Sequence, residues 1–114
     1  NLHASGFVPA LTTQVLEKRV PIIGICLGLQ VMGQSSEESP GVEGLGWIAG
    51  DVLRLQVDDP ALRVPHVGWN NLHADPEHWL FRGIPSEADF YFVHSYHLHC
   101  QQPENRIAYC EYAG

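Results

Sequence analysis

Apolar positions at Val8, Leu11, Val15 and Leu16 recur at near-helical spacing, which predicts a helix from Val8 to Lys18. It feeds Val20–Ile25, a short β-branched run bounded by Pro21 and expected to end as a buried strand. Leu27 to Met32 has helical character again. Residues 35–41 are polar and broken by Pro40 and Gly41, so they are expected to form a loop. Gly44 to Gly46 opens an expected strand pair, Trp47–Ile48 with Val52–Val57, turning at Gly50-Asp51. Val64–Trp69 is a further extended segment, Asn70–Pro76 a loop, and Pro76–Phe81 a short helix or turn. Phe90–Leu98 is the strongest strand, aromatic and β-branched between Pro85 and Pro103, and Ile107–Tyr112 is a last strand. The pattern predicts one α/β unit over residues 1–114 with a β-rich second half.

The switch from strand to helix falls on Ile25-Cys26-Leu27, with Gly24 and Gly28 on either side. Glycines there permit a sharp turn and a close backbone approach. Such a nucleophile elbow presents a side chain at the start of a helix, where a thiolate is favoured and the N–H of the next residue can stabilise an oxyanion. Cys26 and Leu27 are therefore candidates for nucleophile and oxyanion donor. The competing reading is a buried structural cysteine.

Composition narrows the function classes. The chain of 114 residues has a net charge of −7 with six Lys plus Arg, which argues against nucleic-acid binding. Its 45% hydrophobic and 17% charged residues suit one globular domain with a modest core. No apolar run is long enough to span a bilayer and the first residues show no signal segment, so a cytoplasmic protein is expected. Cys26, Cys100 and Cys110 are an odd number at wide spacing with no CxxC, which points to reduced thiols and excludes a zinc ribbon. The chain begins at Asn1 and stops at Gly114 straight after a strand-like run, so it is expected to be a piece of something longer.

A cysteine nucleophile needs a base, and seven histidines are available. Spacing pairs none of them with Cys26. Asp75-Pro76-Glu77-His78 combines carboxylates with an imidazole, but its polar surroundings predict a surface turn. Period two places His97 and His99 on one strand face with His94 and Cys100 on the other, so partly buried, hydrogen-bonded histidines are expected rather than a metal site. Glu37 and Glu38 follow the elbow helix closely enough to return beside Cys26, where an acid could meet an ammonium group. A solvated loop is the alternative.

Four stretches together resemble the class I (triad) glutamine amidotransferases. They are Gly24-Ile25-Cys26-Leu27-Gly28-Leu29-Gln30 with Ser36-Glu37-Glu38; Gly44 to Gly50; Val64-Pro65-His66-Val67-Gly68-Trp69-Asn70; and Leu80 to Pro85 leading into Tyr91-Phe92-Val93-His94-Ser95-Tyr96. The first is shared across the family. The third and fourth are similar to the glutaminase subunits that serve imidazole glycerol phosphate synthase in histidine biosynthesis. The resemblance implies an incomplete flavodoxin-like sheet, L-glutamine as substrate, no cofactor, and a heterodimer with a (β/α)8 cyclase subunit. It implies that Cys26 attacks the glutamine amide, that the Leu27 N–H forms half of an oxyanion hole, and that Gln30 and Glu38 line the pocket. It sets His94-Ser95-Tyr96 against the substrate carboxylate, and Asn70 and Tyr91 towards the cyclase and the ammonia passage. His66 and Trp69 are then expected to shape that same face.

The family's base and its carboxylate partner come from a C-terminal His-Pro-Glu motif that these residues do not contain, and its N-terminal strands are missing too. The chain is thus expected to be an internal fragment with negligible glutaminase activity, the full-length protein being active. Two alternatives stay open: an amidotransferase for another acceptor, such as a sugar of surface polysaccharide, and a non-catalytic module keeping the elbow as a relic.

Overall fold

The computed structural model describes residues 2–112, so Asn1 and Gly114, the ends of the expected domain, lie outside the described residues. The first helix forms where the apolar spacing puts it, as α1 (Phe7–Thr12), continued with wider winding through Thr13–Glu17. Arg19, in a left-handed conformation, ends it. The second helix, α2 (Leu27–Gln30), is one turn.

The strands are β1 (Ser35–Ser36), β2 (Gly50–Arg54), β3 (His66–Asn71), β4 (His73–Ala74), β5 (Asp89–His94), β6 (Tyr96–Cys100) and β7 (Ala108–Tyr109). They form three small sheets among the described residues. In one, β1 runs parallel to β2, and β2 antiparallel to β6 with Val52 opposite Leu98. The second is the β3–β5 ribbon, with His66 opposite His94 and Trp69 opposite Tyr91. The third pairs β4 with β7, where His73 and Tyr109 stack at 5.0 Å.

Several expectations give way. Val20–Ile25 forms no strand, and Ile23 and Ile25 are 74% and 77% exposed. A β-branched run is ready for a ladder, but a ladder needs a second backbone, and none pairs with this run among the described residues. No hairpin turns at Gly50-Asp51. Gly50 instead begins β2 opposite Cys100, so close that a Cβ there would stand 2.5 Å from the His99 carbonyl oxygen. Residues 44–48 lie along residues 31–34, through bonds such as Leu45 N–H to the Val31 carbonyl at 2.7 Å. Phe90–Leu98 is not one strand, because Ser95 separates β5 from β6 and the two join different sheets. The segment expected as loop after Asn70 contains β4, and Ile107–Tyr112 shortens to β7.

The core is smaller than composition suggested. Met32 and Val52 are the buried apolar side chains among the described residues, and His66 is the buried polar one. The radius of gyration is 15.5 Å, against about 13 Å for a compact chain of this size. No helix of the described residues is long and apolar enough to cross a membrane.

Candidate active site

The corner at Cys26 is built by its neighbours. A Cβ on Gly24 would lie 2.7 Å from the Gly28 carbonyl carbon and oxygen and 2.8 Å from the Leu29 nitrogen, so only glycine fits there. At Gly28 a Cβ would meet nothing within 4 Å, so close approach requires one of the two flanking glycines and not both. Cys26 itself has φ 53° and ψ −116°, a conformation that costs a non-glycine residue energy and is typical of functional corners. Its thiol is exposed. The turn closes through Gly28 N–H to the Ile25 carbonyl (2.9 Å) and Leu29 N–H to the Cys26 carbonyl (3.1 Å). The Leu27 N–H has no acceptor among the described residues. With four residues, α2 aligns only one turn of peptide dipoles, so a helix end adds little at this corner. Gln30, partly buried, closes α2.

A second group gathers where β1, β2 and β6 end. Glu37 and Glu38 follow β1, and Tyr96, straight after Ser95, opens β6 opposite Arg54. The Glu37 carboxylate accepts the Arg54 N–H at 2.6 Å, and Leu55 N–H donates to the Ser95 carbonyl at 2.9 Å. Glu38 N–H donates to Ser36 Oγ, and the Glu38 carboxylate is exposed with no partner among the described residues. Of the two acids, Glu37 is thus engaged by the fold, while the Glu38 carboxylate has no such tie among the described residues. Helix α2 packs against β6, which joins the cysteine corner to this sheet. No histidine or carboxylate is hydrogen-bonded to the Cys26 sulfur among the described residues.

The β3–β5 ribbon has two unlike faces. Val67, Trp69, Tyr91 and Val93 stand exposed on one, with Trp69 and Tyr91 edge to face at 5.5 Å. His66, Asn70, Phe92 and His94 occupy the other. Asn70 and Tyr91 therefore point to opposite sides of the sheet. His66 does not share a face with Trp69 as expected: it is 3% exposed, between the rings of Phe92 (5.0 Å) and Tyr112 (3.9 Å). Burial lowers its pKa from the ordinary histidine value, and the nearby charge of His94 adds to that.

The remaining candidates separate. His97 and His99 project from the exposed face of β6; burial and their mutual repulsion lower His97, with Glu37 opposing. Among the described residues no three side chains of metal-ligating type converge. Asp75 Oδ1 accepts the Glu77 N–H and His78 caps the short Trp79–Phe81 turn, the surface role their setting predicts. Burial pushes the Cys110 thiol up.

Residues 3–112 match the family model described as glutamine amidotransferase class-I. The chain belongs to this family. The class-I amidotransferase chain is 42% identical over 109 residues to the imidazole glycerol phosphate synthase subunit HisH of Ruegeria pomeroyi, covering 96% of this chain and 51% of that one. It is 42% identical to the HisH subunit of Brucella abortus (97% and 53% covered) and 45% identical to HisH 2 of Pseudomonas aeruginosa (97% and 54% covered). The chain spans about half the length of the curated relatives it matches. The chain is a class-I amidotransferase domain whose mixed α/β elements, strands dominating the second half, lie in three small sheets, consistent with an incomplete flavodoxin-like fold. Sequence reasoning missed the His66–His94 pair. Alternation in His66-Val67-Gly68-Trp69-Asn70 does put His66 opposite to Trp69, but it carries no sign of the pairing with His94, which the β3–β5 register decides.

Proposed function

We propose that the protein carrying this chain hydrolyses L-glutamine and passes the ammonia to the cyclase subunit of imidazole glycerol phosphate synthase. The observation that carries this is Cys26: an exposed thiol on a strained corner beside an N–H with no acceptor among the described residues, in a family of amidotransferases. The Cys26 thiolate attacks the side-chain amide carbon, and the Leu27 N–H faces the oxyanion that develops. The C–N bond breaks, ammonia leaves with a proton supplied by the base, and a glutamyl thioester remains for water to hydrolyse to glutamate. That base belongs to the family's His-Pro-Glu motif, which these residues do not contain. Glu38, without a partner for its carboxylate among the described residues, receives the substrate ammonium, Gln30 lines the pocket, and the His94-Ser95-Tyr96 corner meets the carboxylate. Ammonia is nucleophilic only while unprotonated, so a dry passage to the acceptor preserves it. The exposed Trp69–Tyr91 face supports a docking surface there for a (β/α)8 partner, with Asn70 behind it, in a cytoplasmic heterodimer. The names of the similar proteins favour this acceptor over a polysaccharide sugar.

The test is a glutamine-mimicking electrophile applied to the full-length protein, followed by peptide mapping. Cys26 should carry the label, with Cys100 and Cys110 unmodified, and Cys26→Ser should abolish ammonia release. Equal labelling of all three thiols, or ammonia release that survives the substitution, rules the reading out.

A further inference from the structure

We infer that His66 is a positioning residue, holding His94 as a neutral ring and through it the Ser95–Tyr96 corner on which the substrate carboxylate rests; this builds on the glutaminase function proposed above. His66 Nδ1 lies 2.9 Å from His94 Nε2, and His94 Nδ1 lies 2.9 Å from the Tyr96 carbonyl oxygen. On the far side, Asn70 Nδ2 stands 3.5 Å from His66 Nε2 and donates to the Glu111 carbonyl at 2.9 Å.

These contacts have one polarity. A carbonyl oxygen only accepts, so His94 Nδ1 carries a proton. With His94 neutral, its Nε2 is a bare acceptor and the His66 Nδ1–H donates to it. His66 Nε2 is then bare as well, and faces the Asn70 amide. Asn70 cannot be turned round, because its Nδ2 is fixed by the Glu111 carbonyl. A charged His94 would donate from both nitrogens. His66 would have to accept at Nδ1 and aim an Nε2–H at the Asn70 amide nitrogen, donor against donor. Both rings are therefore neutral Nδ1–H tautomers, and every nitrogen in the chain has a partner.

The chain ends on the corner that matters. The strand breaks at Ser95, where β5 leaves one sheet and β6 enters another. Leu55 N–H holds the Ser95 carbonyl and His94 Nδ1–H holds the Tyr96 carbonyl. The first bond belongs to the backbone. The second lasts only while the His94 ring keeps its orientation, and His66 is its other anchor. Phe92 and Tyr112 fix His66 in turn, with Tyr112 OH donating to the Arg63 carbonyl at 2.6 Å.

Two variants of the full-length protein separate the donor from the ring. His66→Phe keeps an aromatic plate between Phe92 and Tyr112 but has no donor. His66→Asn loses the plate but puts an amide N–H near the site of Nδ1. We expect the KM for glutamine to rise about tenfold in His66→Phe, the loss of one hydrogen bond at a part-buried site. The rate at which iodoacetamide, which bears no carboxylate, alkylates Cys26 should stay unchanged. His66→Asn should restore KM to within about threefold despite lower thermal stability, as the donor and not the stacking sets it. Nitrogen NMR of the wild-type imidazoles should show both rings protonated at Nδ1. An Nε2–H signal for either ring, an unchanged KM in folded His66→Phe, or an Asn variant no better than Phe overturns the inference. A wild-type protein that turns over no glutamine overturns the glutaminase function, and this role with it; the ring-nitrogen signals distinguish the two failures.

Discussion

Replacing Gly24 by alanine tests whether the corner at Cys26 is held open by a missing side chain. The new Cβ would stand 2.7 Å from the Gly28 carbonyl group and 2.8 Å from the Leu29 nitrogen, all of it backbone with no flexible end to swing aside. To reach ordinary contact at 3.4 Å the first turn of α2 must retreat by roughly 0.7 Å. The bonds that close the turn, now 2.9 and 3.1 Å, then stretch beyond useful length. Two backbone hydrogen bonds at about 1 kcal/mol each, or overpacking at about 1–3 kcal/mol, give a loss near 2 kcal/mol. If the corner relaxes to relieve that strain, the productive geometry of Cys26 is populated about thirtyfold less. The assay has two arms on the full-length protein: urea denaturation, and the second-order rate of Cys26 labelling by a glutamine-mimicking electrophile. Gly24→Ala should lose about 2 kcal/mol and about thirtyfold in labelling. Gly28→Ala is the internal control, since its Cβ meets nothing and alanine favours a helix over glycine by up to about 1 kcal/mol. Equal damage from the two substitutions, or wild-type behaviour of Gly24→Ala, refutes the reasoning.

Two further outcomes follow from the β3–β5 ribbon. Because burial and then the charge of His94 lower the His66 pKa, the folded state disfavours its cation. Its contribution to stability is full above the ordinary value of 6.5 and is lost as pH falls from there through the lowered value, so His66→Phe should flatten that limb of a denaturation series between pH 8 and 5, and identical slopes would contradict the burial argument. Trp69 is 72% exposed, so Trp69→Ala should change folding stability by less than about 0.5 kcal/mol while weakening cyclase binding at least tenfold by calorimetric titration; an unaltered affinity removes this face from the interface.

What the sequence disclosed depended on how local the cause was. The first helix follows from the spacing of Val8, Leu11, Val15 and Leu16, and the start of α2 from the glycine-flanked corner at Cys26, although no strand leads into it; both are settled within a few residues. Which glycine matters was not legible, because Gly24 is decided by where the backbone of Gly28 passes. The strand expected at Val20–Ile25 failed for a different reason. Propensity describes what a segment can do, and pairing needs a partner that is not in the same stretch. Phe90–Leu98 hid its break, since aromatic and β-branched residues continue through Ser95 and only the change of pairing partner marks the corner. At the candidate site, the family motif names Cys26 and Glu38, while the exposure of the Cys26 thiol and the lack of a partner for the Glu38 carboxylate among the described residues are set by the fold. The burial of His66 depends on Phe92 and Tyr112, 26 and 46 positions later, and no local pattern announces it.

The corner at Ser95 also sets an order of assembly. Bringing β2 and β6 together from an open chain closes residues 55–95, whereas zipping β3 to β5 closes only residues 72–88. Once the ribbon has formed, β6 is delivered within two residues of it, and the span left to close shrinks to the short stretch 55–65. Loop-closure entropy therefore favours the ribbon forming first and the β2–β6 pairing after it. Destabilising substitutions at Gly68 or Phe92 should slow folding, whereas those at Val52 or Leu98 should speed unfolding and leave the folding rate nearly alone.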